Sequence, residues 1–356
     1  MPSHRPRTLT ALTLATVTVA AALAGCSRGT PPDQAPAASP SATGGTGVQI
    51  MIGGVDKVIY LPAKLTEQLG YFKEAGVDVR LLSEPAGAQA ENVLVSGDVQ
   101  GVVGFYDHTV DLASKGKCVT SVVQLSKVPG EVEIVSTAAK SKIASAKDFA
   151  GRRLGVTSPG SSTDFLTRYM AVRAGLQTKD YTTVKAGAGP TFIAALTSGG
   201  IDAGMTTDPT VARILSEGSG SILYDMRTEQ GTRAALGGLY PSSSLYMDCD
   251  YVRQNAQTVQ KVVNAFVRTL HWISTHSAAE IAARMPADYR TDNALYTKAV
   301  ADTMGMFTAD GKMPTEGPAN VLRVLASFNE SVIAKKDTLK LSDTFTTSFV
   351  DKAPAS

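Results

Sequence analysis

The chain has little of what catalytic and metal proteins concentrate. Of 356 residues, three are cysteine, four histidine and one tryptophan. Cys26, Cys118 and Cys249 stand far apart and the histidines are scattered, so no metal-ligand spacing exists and no metal or other cofactor is expected. There is no basic tract and no aromatic platform, which argues against a nucleic-acid partner. The catalytic signatures are missing too: no G-x-S-x-G, no H-E-x-x-H, no P-loop and no G-x-G-x-x-G after a strand. Gly187-Ala188-Gly189 comes nearest to the last, but Pro190 removes an amide that a dinucleotide loop would need. Charge of either sign is not in excess. The formal net charge is +2, and Arg5 and Arg7 of the N-terminal leader account for it.

That leader continues as an apolar run from Leu9 to Ala22 and closes on Leu23-Ala24-Gly25-Cys26. It reads as a secretory signal, residues 1–25, too short and too weakly flanked for a permanent span. The closing residues resemble a bacterial lipobox, which implies cleavage before Cys26 and lipid on its thiol. Residues 26–47, rich in Pro, Ala, Ser, Thr and Gly, then form a flexible lipidated tether. The expected location is outside the cell's cytoplasm, anchored to the outer face of the cytoplasmic membrane or periplasmic.

Residues 151–175 hold the most informative stretch. Leu154-Gly155-Val156 reads as a buried strand, Ser158, Gly160, Ser161, Ser162 and Thr163 lie in a hydroxyl-rich loop, and Phe165, Tyr169 and Val172 mark a helix ending near Gly175. Such a joint aims helix-start amides and hydroxyls at one point, which suits a polar ligand group as well as simple capping. Strands alternate with helices on either side, predicting an α/β fold with a largely parallel, doubly wound sheet. The joint Ser96-Gly97-Asp98 is echoed at Ser198-Gly199-Gly200-Ile201-Asp202, and each leads through a strand to an acid, Asp107 and Asp208. Ligands in open α/β sheets sit beyond the carboxyl ends of strands. Two such sets predict twin lobes facing one cleft.

The segments Gly70–Gly76, Ser96–Asp98, Phe149–Val156, Gly199–Ala203 and Leu341–Asp351 look like solute-binding proteins of ABC importers. The branch takes sulfonates, taurine, nitrate and the pyrimidine precursor of thiamine. The resemblance implies a type II periplasmic-binding fold, two doubly wound lobes joined by two crossover strands. Residues 48–136 and 242–356 would form lobe one, and residues 137–241 lobe two. It further implies a monomer without enzymatic turnover, whose partners are a small solute, a permease and its ATPase.

Strand ends and helix starts then nominate Lys57 and Tyr60, Tyr106, Asp107 and His108, Ser158 and Gly160–Thr163, Gly187 and Gly189, and Asp208 as ligand-binding residues. Packing under the first helix is the equal alternative for Tyr60, and an N-cap role before Pro209 is the equal alternative for Asp208. If both acids reach the cleft, a plain anion would meet like charge, which favours an amine-bearing, zwitterionic or heterocyclic solute. An exported enzyme using Asp107 and His108 as acid and base is the alternative. In an exported chain Cys118 and Cys249 are allowed to pair; two free thiols are the equal alternative.

Overall fold

The computed structural model describes residues 47–354; the leader, Cys26 and the tether lie outside the described residues. The first half of the chain alternates β1 (Val48–Ile52), α1 (Leu61–Gln68), α2 (Tyr71–Glu74), β2 (Val79–Ser83), α3 (Gly87–Val95), β3 (Gly101–Phe105), α4 (Asp107–Ser114) and β4 (Val119–Gln124). A second set follows: β5 (Glu131–Ser136), β6 (Arg153–Val156), α5 (Ser162–Arg173), β7 (Thr182–Lys185), α6 (Pro190–Thr197), β8 (Ala203–Thr207), α7 (Thr210–Glu217), β9 (Gly220–Asp225) and α8 (Glu229–Leu236). The chain then returns through β10 (Ser243–Asp248), α9 (Cys249–Gln254) and α10 (Ala256–Thr275). It closes with α11 (Ala278–Arg284), α12 (Asn293–Thr303), α13 (Gly317–Leu325) and α14 (Glu330–Lys335).

Two five-stranded sheets result, ordered β2-β1-β3-β10-β4 and β7-β6-β8-β5-β9. They share one pattern. In each, the strand arriving from the other half of the chain, β10 or β5, runs antiparallel to its neighbours. The sheets are therefore mixed, where the alternation of elements predicted largely parallel ones. The echoed joints lead into β3 and β8, which hold the same place in the two orders.

The boundary between the lobes falls earlier than the expected residue 137. Val132 and Ile134 of β5 pack with Phe192, Leu196 and Val211, so the whole strand belongs to the second sheet. Its alternate residues, Glu131, Glu133 and Val135, face the other way, as the period of two requires. Nor do the last helices belong to lobe one alone. Val321, Val324 and Leu325 of α13 share a core with Val110 of α4 and with Phe165 and Leu166 of α5.

The two crossovers run side by side. Leu125 and Ser126 donate their amides to Ser243 O at 2.7 and 3.1 Å, Ser126 and Ser242 share a hydroxyl contact of 2.7 Å, and Ser242 Oγ donates to Val128 O at 2.6 Å. Nearby in lobe one, Cys118 and Cys249 form a disulfide with Cα atoms 5.5 Å apart. It joins the start of β4 to the start of α9.

Candidate functional site

Between the sheets lies a small cavity with room for about one water molecule. Lobe one contributes Lys57, Ile59, Tyr60 and Gly87, and lobe two contributes Glu131, Thr157, Ser161, Ser162, Thr163 and Thr207. The lobe-two wall is largely the start of α5. Ser161 is its N-cap in an extended conformation, and Thr157 donates its amide to Thr163 Oγ1 at 3.0 Å. Small hydroxyl residues suit this turn because a helix start leaves amides without intrahelical partners.

The floor carries buried charge. Glu131 is 2% exposed, and its Oε2 has no hydrogen-bond partner among the described residues. Burial pushes its carboxyl well above the usual range, Asp107 and Glu133 push it further, and Lys57 opposes them. Lys57 donates to Gly53 O at 2.6 Å and Pro85 O at 3.0 Å. Burial lowers its ammonium to about 8 against the pull of Asp56 and Glu131. Glu133, two residues along the same face, is pushed up to about 8 by burial, and neither of its oxygens has a partner among the described residues. Among those residues no group of His, Cys, Asp and Glu has metal-site geometry.

Asp107 is fully buried, yet it is not in the cavity wall. Its carboxylate accepts hydrogen bonds from Ser162 Oγ at 2.9 Å and Tyr240 OH at 2.8 Å. With the amide of Ala88 donating to Ser161 Oγ at 3.2 Å, this contact joins α4 and α3 of lobe one directly to α5. His108 sits behind Gly87. Its Nδ1 is 2.6 Å from Glu91 Oε2, off the line of a good hydrogen bond, and its Nε2 lies 2.9 Å from where a Cβ on Gly87 would stand. Burial alone would lower the imidazole, but Glu91, with Asp107 and Asp111 behind it, outweighs that and holds it at about 9.

The other nominated residues lie elsewhere. Tyr106 turns into the core, bonded to Thr344 and edge-on to Phe345. Asp208 is committed to structure: its carboxylate accepts from the Ala212 amide, Thr303 Oγ1 and Arg227 Nη1 at 3.0, 2.9 and 3.0 Å. Arg227 also reaches Asp302 of α12 at 3.5 Å, so this cluster is a second contact between the lobes. Gly187 and Gly189 take φ of +70° and +59° in the turn before α6, and Gly189 faces an outer groove rather than the cavity. Ser158 forms the turn before α5, accepting the Ser161 amide, and Gly160 opens on a different cleft beside Phe165.

Of the nominated set, Lys57, Tyr60, Ser161, Ser162 and Thr163 meet in one cavity. A plain anion is disfavoured on charge only where Asp107 and Asp208 reach the ligand. In the structure neither lines the cavity, and the acid that does is Glu131, which is not among the nominated residues. The signal was present: Glu131-Val-Glu-Ile-Val-Ser alternates acids with β-branched residues in a strand that carries the chain between two sheets.

A protein-family model described as NMT1/THI5 like matches residues 60–279. A solved structure from Bordetella bronchiseptica RB50 superposes with a TM-score of 0.81 at 32% identity, over 86% of this chain and 96% of that one. The alkanesulfonate-binding protein of Xanthomonas axonopodis pv. citri, bound to MOPS, gives 0.64 at 18% identity over 83% and 95% of the two chains. The periplasmic nitrate-binding protein of Synechocystis PCC 6803 gives 0.65 at 12% over 86% and 88%. Among curated proteins, a 4-amino-5-hydroxymethyl-2-methylpyrimidine phosphate synthase of Aspergillus parasiticus is 28% identical over 229 residues. That match spans 62% of this chain and 64% of the synthase's length. Two mixed sheets, paired crossovers and a cavity walled from both sides are the periplasmic-binding fold, and the chain belongs to the NMT1/THI5-like family.

Proposed function

We propose that this chain is the extracytoplasmic solute-binding component of an ABC importer, held at the membrane by lipid on Cys26. One observation carries the reading: a cavity whose walls come from both lobes, with the lobes joined through a narrow double crossover. A ligand touching both walls stabilises the closed arrangement over the open one, by as much as its affinities for the two differ. The closed form is then what a permease recognises. The solute is small and donor-rich, amine-bearing, zwitterionic or heterocyclic, because Glu131 offers an unpaired buried carboxyl and the hydroxyls of α5 and Thr207 surround it.

Mass spectrometry of the molecule released from the purified, denatured chain tests this, followed by calorimetric titration with that molecule. Recovery of no small molecule, and no heat with any amine or sulfonate tried, would count against it. For the anchor, Cys26→Ser is expected to abolish lipidation and release the protein from membranes.

A second reading, an exported enzyme, draws on the synthase relative and on the His108–Glu91 pair behind Gly87. The same released molecule separates the two. An importer component returns it unchanged after prolonged incubation, and an enzyme converts it.

A further inference from the structure

Outside the cavity, on the side of α6 and α12, the lobes leave a groove of about 620 Å3. One wall is Tyr289, Leu295 and Tyr296 of lobe one; the facing wall is Pro190, Ile193 and Pro209 of lobe two. The groove and the cavity are neighbours through the same two segments. Residues 56–60 run from the groove, at Asp56 and Lys57, to the cavity, at Lys57, Ile59 and Tyr60. Residues 207–210 do the same from lobe two, with Thr207 inside and Pro209 and Thr210 outside. One backbone hydrogen bond joins these segments, from the Val58 amide to Asp208 O at 3.0 Å. The partition is therefore one strip of chain from each lobe, held by a contact that opening the lobes would break.

The inner cavity admits little more than a single water, whereas ligand sites usually offer ~300 Å3 or more. Two larger spaces adjoin a solute seated on Glu131: a cleft past Ala88 and Gly160 walled by Glu91, Lys115 and Arg168, and the groove, which of the two suits an apolar body. The groove has apolar faces and an acidic rim: Asp56 and Asp288 flank Tyr289 and have no ion-pair partner among the described residues. The groove's two cations are both engaged: Arg213 is shared between Glu217 and Asp292, at 3.8 and 3.7 Å, and Lys57 donates to Gly53 O and Pro85 O. A carboxylate rim beside aromatic faces attracts organic cations and repels anions.

We infer that the binding site is bipartite and takes an elongated organic cation, with its donor head against Glu131 and its apolar body in the outer groove between Tyr289 and Ile193. This rests on the solute-binding reading and narrows its ligand class. The strip 56–60 and the strip 207–210 part around the middle of the molecule, and Lys57 moves with the first of them.

The test is calorimetric titration of the full chain with ethylamine, 4-phenylbutylamine and the neutral 4-phenylbutanol. The arylalkyl amine is expected to bind at least tenfold tighter than ethylamine and tenfold tighter than the alcohol. Replacing both half-buried groove residues, Ile193→Ala with Leu295→Ala, should shrink the first gap below threefold and leave ethylamine unchanged. Glu131→Gln should weaken both amines by the same factor. Equal affinities for the two amines, or a gap that survives the double substitution, overturns the groove assignment, and if ethylamine still binds the solute-binding reading stands. Binding of a sulfonate but no amine overturns the cation class alone. No binding of any probe, with no molecule released from the chain, takes down both.

Discussion

The carboxylate of Asp107 on lobe one accepts a hydrogen bond from Ser162 Oγ on lobe two, at 2.9 Å. The contact is direct and Asp107 does not line the cavity, so this residue joins the lobes to each other. Asp107→Asn keeps the shape and replaces one acceptor oxygen with a donor facing Ser162 or Tyr240. A hydrogen bond to a charged group is worth ~1.5–3 kcal/mol, so solute affinity should fall by roughly tenfold or more through a less stable closed form. Ser162→Ala should cost less, because Tyr240 remains bound to the carboxylate. Small-angle scattering should show a larger maximum dimension for Asp107→Asn without solute, and the surface variant Lys335→Ala should match wild type. An unchanged particle and unchanged affinity would dismiss the clasp.

The disulfide closes a loop of 131 residues of sequence separation. Loops of this length lose a good deal of unfolded-state entropy when bridged, typically ~2–4 kcal/mol of added stability. Cys118→Ala with Cys249→Ala should lower the urea midpoint correspondingly, and wild type under reductant should fall to the same value. Thiol counting on the denatured, unreduced chain checks the bond itself: two free thiols from these positions would remove it.

Stability should decline from pH 6 to 9, for two reasons acting in the same direction. Glu133 is raised from 4.5 to about 8 on folding, so the folded state holds a proton that the unfolded chain has released. Its contribution is present in full below about 4.5 and erodes as pH climbs to about 8. His108 is raised from 6.5 to about 9, so what its charged pair with Glu91 adds is complete below 6.5 and gone above 9. Glu133→Gln should flatten the lower part of the profile and raise the melting temperature at pH 8 by ~2 °C or more. A melting temperature that is flat from pH 6 to 9 in wild type would rule out both assignments.

A cationic head brought against Glu131 must find a carboxylate, whereas burial there raises the carboxyl's hold on its proton. Binding of an amine should therefore be accompanied by proton release from the protein. Titrations in buffers of different ionisation enthalpy measure this directly, and affinity for the amine should rise with pH until the amine itself deprotonates. Glu131→Gln should abolish the buffer dependence. A buffer-independent enthalpy in wild type would show that Glu131 does not meet the cation.

Much of the architecture was legible because it is written in local periods. The 3.6-residue pattern of Phe165, Tyr169 and Val172 lies in α5, and the two Ser-Gly joints lead into β3 and β8. The start of α5 as cavity wall followed from small hydroxyls at a strand–helix joint. What escaped was long-range. Asp107 and Asp208 look alike in sequence, each ending a strand before a helix, but their partners Tyr240, Arg227 and Thr303 come from distant segments. Glu131 escaped for the converse reason. A charged residue in a strand is normally assigned to solvent, and only the second sheet, together with α5 and Lys57 across the cleft, makes its face an interior.

The twin crossovers have a mechanical meaning. Because Ser126, Ser242 and Ser243 are bonded across the two connections, neither strip can swing or twist without the other. The lobes then behave like two boards on one door hinge, with a single angle to vary. Every contact bridging them, whether Asp107 with Ser162 or Arg227 with Asp302, reads and sets that same angle. A substitution at the Arg227 cluster would thus alter solute affinity without touching the cavity, through an equilibrium both sites share.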